Sequence, residues 1–239
     1  SPQPMIDLGL FRNRLFNVNL ITGFATFISM SGTIILIPFY LENVMGYPPR
    51  AVGLLMAVVP VAVGITAPIS GAISDRVGTR PIAVAGLFMI VLGFAAVSTL
   101  SLDTTSVGYL LRYLPVGIGI GIFQSPNNSA VMGAVPRERL GVASGLLSIT
   151  RTLGQTTGIS VLGALWAGRV AARAGSALVG EATSAPAVVQ VAALNDTFRV
   201  VIVVLSLALL LAAWGLVQER RMRTPSAAQG VHTTRAEHR

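Results

Sequence analysis

Long stretches without a charged residue constrain this chain more than any motif does. They run 15–41, 51–74, 81–102, 113–136, 152–168 and 200–218. A helix needs about 20 apolar residues, rising about 1.5 Å each, to cross ~30 Å of hydrocarbon. Accepting one buried charge in the fourth and fifth segments, Arg112 and Arg151, gives six spans at about 15–41, 51–74, 81–102, 107–132, 141–168 and 199–217. A membrane β-barrel would instead alternate apolar and polar residues in segments of about ten. Runs such as 202–211, almost continuously aliphatic, do not alternate. The predicted fold class is an all-α integral membrane protein with six transmembrane helices.

Composition agrees. Of the 239 residues 53% are hydrophobic and only 11% charged, whereas a soluble domain carries about 25% charged residues. That shortfall excludes an ordinary soluble enzyme, and such hydrophobicity excludes general disorder. With no cysteine, disulfides, thiolate metal sites and cysteine nucleophiles are excluded as well. The net charge of +8 rests entirely on arginine. Arg12, Arg14, Arg76, Arg80, Arg137, Arg139 and the arginines beyond 219 fall on the side of the termini, and Arg50, Arg169, Arg173 and Arg199 on the other. Cytoplasmic loops carry the basic excess, so both termini are expected in the cytoplasm and the chain in a cell membrane. Scattered over short loops, these arginines form no nucleic-acid face. Residues 1–14 read as a cytoplasmic lead-in with an interfacial segment, and 219–239 as a disordered tail. A hydrophobic helix almost at once after Ser1 suits the second half of something longer.

Polar residues concentrate on four spans. The first carries Asn17, Asn19 and several Ser and Thr, and the second Thr66 and Ser70. The fourth has Arg112, Gln124, Asn127 and Asn128, and the fifth Ser144, Ser148, Arg151 and Gln155. Unpaired polar groups are costly in hydrocarbon, so these spans are expected to line a path while the third and sixth face lipid. For any single hydroxyl, interhelical hydrogen bonding is the simpler reading. Gly117-x-x-x-Gly121, Gly141-x-x-x-Gly145 and Gly154-x-x-x-Gly158 predict close helix packing, and Pro60, Pro68, Pro115 and Pro126 predict kinks. Arg151 falls about 15 Å into its span, whereas Arg112 is near enough to an interface to snorkel. All nine acids fall in loops, tails or span edges, and both histidines in the tail. Neither a proton carrier nor a catalytic or metal-binding constellation is legible at membrane depth, so no enzyme, cofactor or metal is expected.

The turn after the second span reads Gly71-Ala-Ile-Ser-Asp75-Arg76-Val-Gly78-Thr-Arg80-Pro81. Gly78 can take positive φ, Pro81 suits a first helical turn, and Asp75 can pair with an arginine or cap the next helix. This turn resembles the G-x-x-x-D-R-x-G-x-R signature of the major facilitator superfamily. The flanks, 4–15, Ser125-Pro-Asn-Asn-Ser129, Val135–Gly145 and Arg151-x-x-Gly154, resemble the C-terminal half of its fourteen-helix drug:proton antiporter branch. The resemblance implies one six-helix half-bundle that exports small hydrophobic or amphiphilic compounds by alternating access, driven by protons and set in a lipid bilayer. It implies a partner, the N-terminal transporter half, which carries most of the family's acidic coupling residues. It also implies that Gly71, Asp75, Arg76, Gly78 and Arg80 act as a conformational latch. Arg112, Gln124, Asn127, Asn128, Arg151 and Gln155 are the candidate translocation path. The alternatives are a six-helix channel or structural subunit without proton coupling, and an exporter of anionic or zwitterionic metabolites.

The topology has a direct check. Cysteines placed by Ser101→Cys and Ser176→Cys should react with an impermeant thiol reagent added outside. Those placed by Thr79→Cys and Ala227→Cys should not, and outside labelling of Thr79→Cys would refute the arrangement.

Overall fold

A computed structural model describes residues 8–175 and 182–223. Its long elements are α1 (Arg14–Phe39), α2 (Pro49–Met56), α3 (Val58–Val77), α4 (Thr79–Val97), α5 (Ser106–Gly133), α6 (Leu140–Ala174) and α7 (Ala187–Arg223). No strand occurs among the described residues. Since α2 and α3 are one helix interrupted at Ala57, the described residues make six membrane-length rods.

Five of these are apolar enough to cross a membrane by length and composition, and α6 is the exception. Its 35 residues carry Arg151, Arg169 and Arg173 together with many small polar groups. Its Gly, Ser, Thr and Gln residues, more than the one conceded charge at Arg151, make it less apolar than the other rods. Arg112 is absorbed without this difficulty, because α5 still qualifies. At the C-terminus α7 begins well before 199 and continues to Arg223, so the helix enters the segment read as a tail. Residues 224–239 lie outside the described ones.

Local chemistry sets the ends. A short 3₁₀ segment, Leu8–Arg12, leads into α1. The Asn13 side chain accepts hydrogen bonds from the Leu15 and Phe16 N–H groups at 3.0 and 3.3 Å, satisfying donors that the first turn leaves open. The other end of α1 passes through Pro38 into a π-helical turn, Tyr40–Val44, and stops at Gly46 with φ of 68°. The break at Ala57 has a cause three residues later. Pro60 has no N–H to offer the Met56 carbonyl, and its ring crowds that turn.

Two sub-bundles pack side by side. In the first, α5 lies between α3 and α4; in the second, α1, α6 and α7 pack together, and α7 also reaches α4. Glycine permits the first. A Cβ on Gly119 would lie 2.6 Å from the Ile90 nitrogen of α4, and one on Gly86 2.5 Å from the Phe123 nitrogen of α5. Gly117 and Gly121 face the other way, against Val59, Ala62 and Thr66 of α3. The Gly117-x-Gly119-x-Gly121 run thus seats α5 between two neighbours. Gly154 and Gly158 of α6 meet Phe24, Phe27 and Ile28 of α1. The third expected motif differs: Gly141 and Gly145 have no atom within 4 Å of a built Cβ. Around these contacts Leu36, Ile37, Leu87, Ile90, Phe94, Phe198 and Leu205 form the main core. A smaller cluster of Phe16, Leu20, Val131 and Ala143 closes the end where the α3–α4 turn lies.

Overpacking of this kind typically costs about 1–3 kcal/mol. Gly86→Ala should therefore lower the thermal unfolding midpoint in detergent by several degrees. Gly53→Ala, where nothing lies within 4 Å of the new carbon, should leave it unchanged or raise it, because alanine favours a helix by roughly 1 kcal/mol over glycine.

Candidate functional site

The turn that joins α3 to α4 is one residue long. Gly78 stands at φ 95° and ψ 151°, and its N–H returns to the Ser74 carbonyl at 2.8 Å. A side chain there would be strained. Gly71 sits against α5, where an added carbon would come within 3.1 Å of Ser125 Oγ. Ser70 next to it donates to the Ile122 carbonyl at 2.8 Å. Asp75 and Arg76 are exposed. The expected roles of Asp75 are not realised: no side chain caps α4, and Asp75 makes no ion pair among the described residues. Arg80 does reach inward, donating to the Gly215 carbonyl of α7 at 3.4 Å. It lines a narrow cavity with Asn19, Thr22 and Asn127.

Most hydroxyl groups in the spans have local partners. Thr22, Thr26, Ser29 and Ser31 each donate to the carbonyl four residues back in α1. Thr66 and Ser70 bond carbonyls of α5, and the outer stripe of α3 (Val61, Ile65, Ile69, Ile73 and Val77) is apolar and exposed. The second span therefore presents an apolar outer face and borders none of the cavities described below. Its polar atoms are used to hold α5.

Several buried side-chain atoms stay unsatisfied, among them the Tyr109 hydroxyl and amide atoms of asparagine and glutamine. Asn19 Nδ2, Asn17 Oδ1 and Asn127 Oδ1 are buried without a hydrogen-bond partner. Asn127 is 3% exposed and reaches two cavities. One is the Arg80 cavity, and the other is lined by Thr26, Phe27, Met30, Gln124 and Asn128. Phe27 and Asn128 also border an open cleft of about 270 Å³, completed by Ser144, Leu147, Ser148 and Arg151 of α6. The Arg151 guanidinium carbon lies 5.4 Å from the Phe27 ring centroid, a cation–π distance. Arg151 makes no ion pair among the described residues. Gln124, Asn127, Asn128 and Arg151 are therefore contiguous between α1, α5 and α6. Half-buried Gln155 is one turn further along α6, outside that lining. Arg112 is elsewhere: it donates to Thr99 Oγ1 at 3.1 Å and to the Gly108 carbonyl at 2.9 Å, pinning α5 to the end of α4.

One charged group was not legible in the sequence. Asp196, read there as a span-edge acid, is buried nine residues into α7 and faces three arginines. Arg173 contacts it through Nε at 3.2 Å and through a guanidinium NH2, Arg169 NH1 lies 3.5 Å away, and Arg199 NH1 3.1 Å away. Only Asp196-x-x-Arg199 is local, and nothing in spacing predicts that the end of α6 would meet it.

If the Asn127 amide serves a path rather than the fold, its removal should not harm stability. An apolar replacement of a buried, unpartnered polar group is near neutral or stabilising. Asn127→Leu should unfold within about 1 kcal/mol of the unaltered chain by thermal or denaturant melts.

Residues 2–159 match the Major Facilitator Superfamily. The chain is 32% identical over 161 residues to the uncharacterized transporter YebQ of Escherichia coli, covering 67% of this chain and 35% of that protein. It is 35% identical over 167 residues to the multidrug resistance protein Stp of Mycobacterium tuberculosis, covering 70% and 31%. The riboflavin transporter RibZ of Clostridioides difficile is 32% identical over 165 residues, covering 69% and 36%. The chain thus spans about a third of the length of these curated relatives. Among solved structures, the E. coli fucose:proton symporter FucP superposes with a TM-score of 0.65 at 17% identity, over 83% of this chain and 48% of that one. With six membrane-length rods and the Gly71–Arg80 turn, the chain belongs to the Major Facilitator Superfamily, a family of multi-pass membrane transporters.

Proposed function

We propose that this chain is the C-terminal half of an exporter of small hydrophobic or amphiphilic compounds. It works by alternating access against an N-terminal half and draws on the proton gradient. The observation that carries the reading is an open cleft bordered by Asn128, Arg151 and an aromatic wall at Phe27, which adjoins through Phe27 and Asn128 a smaller cavity lined by Gln124 and Asn127. Such a surface offers amphiphiles an apolar face and a few convergent polar groups. Relatives named for multidrug resistance and for multidrug transport, Stp and MdtP, support the substrate class. A relative named for riboflavin shows that the substrate varies among relatives. A second reading, export of an anionic or zwitterionic compound, is favoured by Arg151, which borders the cleft without a paired carboxylate.

Proton coupling requires a group that binds and releases a proton near the midplane. The cleft lining contains no acid or histidine, so the proposed partner half supplies that group, and it also supplies the bundle to rock against. Gly71, Asp75, Arg76, Gly78 and Arg80 serve as the latch between conformations and not as a substrate contact. Both termini are placed in the cytoplasm.

Reconstitution tests this. Liposomes carrying residues 1–239 alone, or together with the N-terminal half, are given a pH gradient and followed for dye export. Export should need both halves, and Arg151→Ala should abolish most of it. Gradient-driven export by residues 1–239 alone, as fast as by the assembly and at a mass excluding homodimers, would overturn the half-transporter reading. Asp75→Asn should slow export several-fold while leaving equilibrium substrate binding unchanged; lost binding with normal cycling would refute the latch.

A further inference from the structure

At the end of the bundle opposite the α3–α4 turn, Asp196 is the sole described carboxylate paired with Arg169, Arg173 and Arg199. The Asp196 side chain is only 10% exposed, while the arginines are 42%, 45% and 69% exposed. One negative charge therefore organises three positive ones, leaving two in excess. Each guanidinium has five N–H donors in a planar fork. Asp196 accepts from two donors on Arg173 and one on Arg199, and Arg169 approaches it as an ion pair at 3.5 Å. The remaining donors are held close together, because all three arginines converge on the same carboxylate.

The surface beside this cluster says what the ligand is attached to. Along α7 the exposed residues Arg199, Val203, Leu207, Leu210, Trp214 and Val217 follow three- and four-residue spacing, so they form one stripe on one helix face. At about 1.5 Å per residue the stripe is about 27 Å long, close to the ~30 Å of a hydrocarbon core. Arg199 caps one end, and Trp214 lies towards the other, where tryptophan favours the interface. The half of this apolar face nearest Arg199, about one leaflet deep and ending in clustered guanidinium groups, matches an acyl chain joined to a phosphate. Arginine is suited to that group, since its fork pairs with phosphate oxygens bidentately.

We propose that Arg169, Arg173 and Arg199, gathered by Asp196, form a binding site for the headgroup phosphate of an anionic phospholipid, whose acyl chain lies on the α7 stripe. This site is separate from the cleft at Arg151, because Arg169 lies 18 residues, about 27 Å, further along α6 at the end where α6 meets α7.

The test uses the whole 239-residue chain in phosphatidylcholine nanodiscs doped with phosphatidylglycerol, with retained lipid counted by native mass spectrometry. The unaltered chain should keep phosphatidylglycerol in preference to a diacylglycerol of identical chains. Arg199→Gln leaves Arg169 and Arg173 on Asp196 and should weaken that preference about fivefold, the worth of one arginine near a membrane surface. Arg50→Gln removes an exposed charge from the same end and should have no effect. Equal loss in both variants would mean diffuse surface attraction and overturn the site. Equal retention of diacylglycerol would remove the phosphate from the argument. Displacement of phosphatidylglycerol by millimolar inorganic phosphate would assign the site to free anions instead of lipid. These competitions on the unaltered chain decide the proposal even if a variant fails to fold.

Discussion

Backbone-to-backbone contact of α5 with both α3 and α4 is the constraint on which the rest of the structure depends. The contact exists because Gly86, Gly117, Gly119 and Gly121 present no Cβ where one would come within 3 Å of a neighbouring helix. In hydrocarbon no water-driven force pulls apolar helices together, so such close packing and a few interhelical hydrogen bonds must supply the cohesion. Ser70 provides one such bond, donating to the Ile122 carbonyl of α5 at 2.8 Å, and Thr66 adds a longer approach of 3.5 Å to the Ile118 carbonyl while donating to Ala62 of its own helix at 2.7 Å. Once α5 is seated, Gln124, Asn127 and Asn128 are carried to the inner end of the bundle. Their positions beside α1 and α6 then follow from the helix period.

The second sub-bundle is held differently. Gly154 and Gly158 bring α6 onto α1, which sets Arg151 over Phe27. Further along, Phe39 stacks on Trp166 with ring centroids 5.8 Å apart, and the Trp166 indole N–H donates to the Gln190 carbonyl of α7 at 3.3 Å. Gln190 in turn donates to the Thr183 and Ala185 carbonyls. The approach to α7 is thus pinned by aromatic and amide groups, and Asp196 with its arginines adds a charged tie one step inward. Packing near the midplane gives way to hydrogen bonds and charge near the end of the bundle, where solvation is cheaper.

The spans and the Gly71–Arg80 turn were legible in the sequence because they rest on local rules. Charge-free length marks a helix in lipid, and a glycine before Thr-Arg-Pro marks a sharp turn. Convergence of Asn127, Asn128 and Arg151 was legible only as a tendency of polar residues to avoid lipid. That tendency placed Arg112 with them, although the structure has it snorkelling to Thr99 and Gly108. The same rule put the second span on the path, whereas its Ser70 hydroxyl donates to an α5 carbonyl and its Thr66 hydroxyl to Ala62 of its own helix. Periodicity does not say which partner a hydroxyl will find. The Asp196 cluster was illegible for another reason: Arg173 precedes it by 23 residues on a different helix, and only the tertiary fold closes that gap.

The single-residue turn at Gly78 has a mechanical corollary. A linker of several residues can absorb displacement like a slack cable, but one glycine between α3 and α4 has no length to give. A push on one helix at this end must reach the other undiminished. Compliance has to be found at the far end of α3, where Ala57 interrupts the rod and Gly46 follows the π-helical turn. The sub-bundle of α3, α4 and α5 is in that sense a lever, stiff at the grip and jointed at the fulcrum.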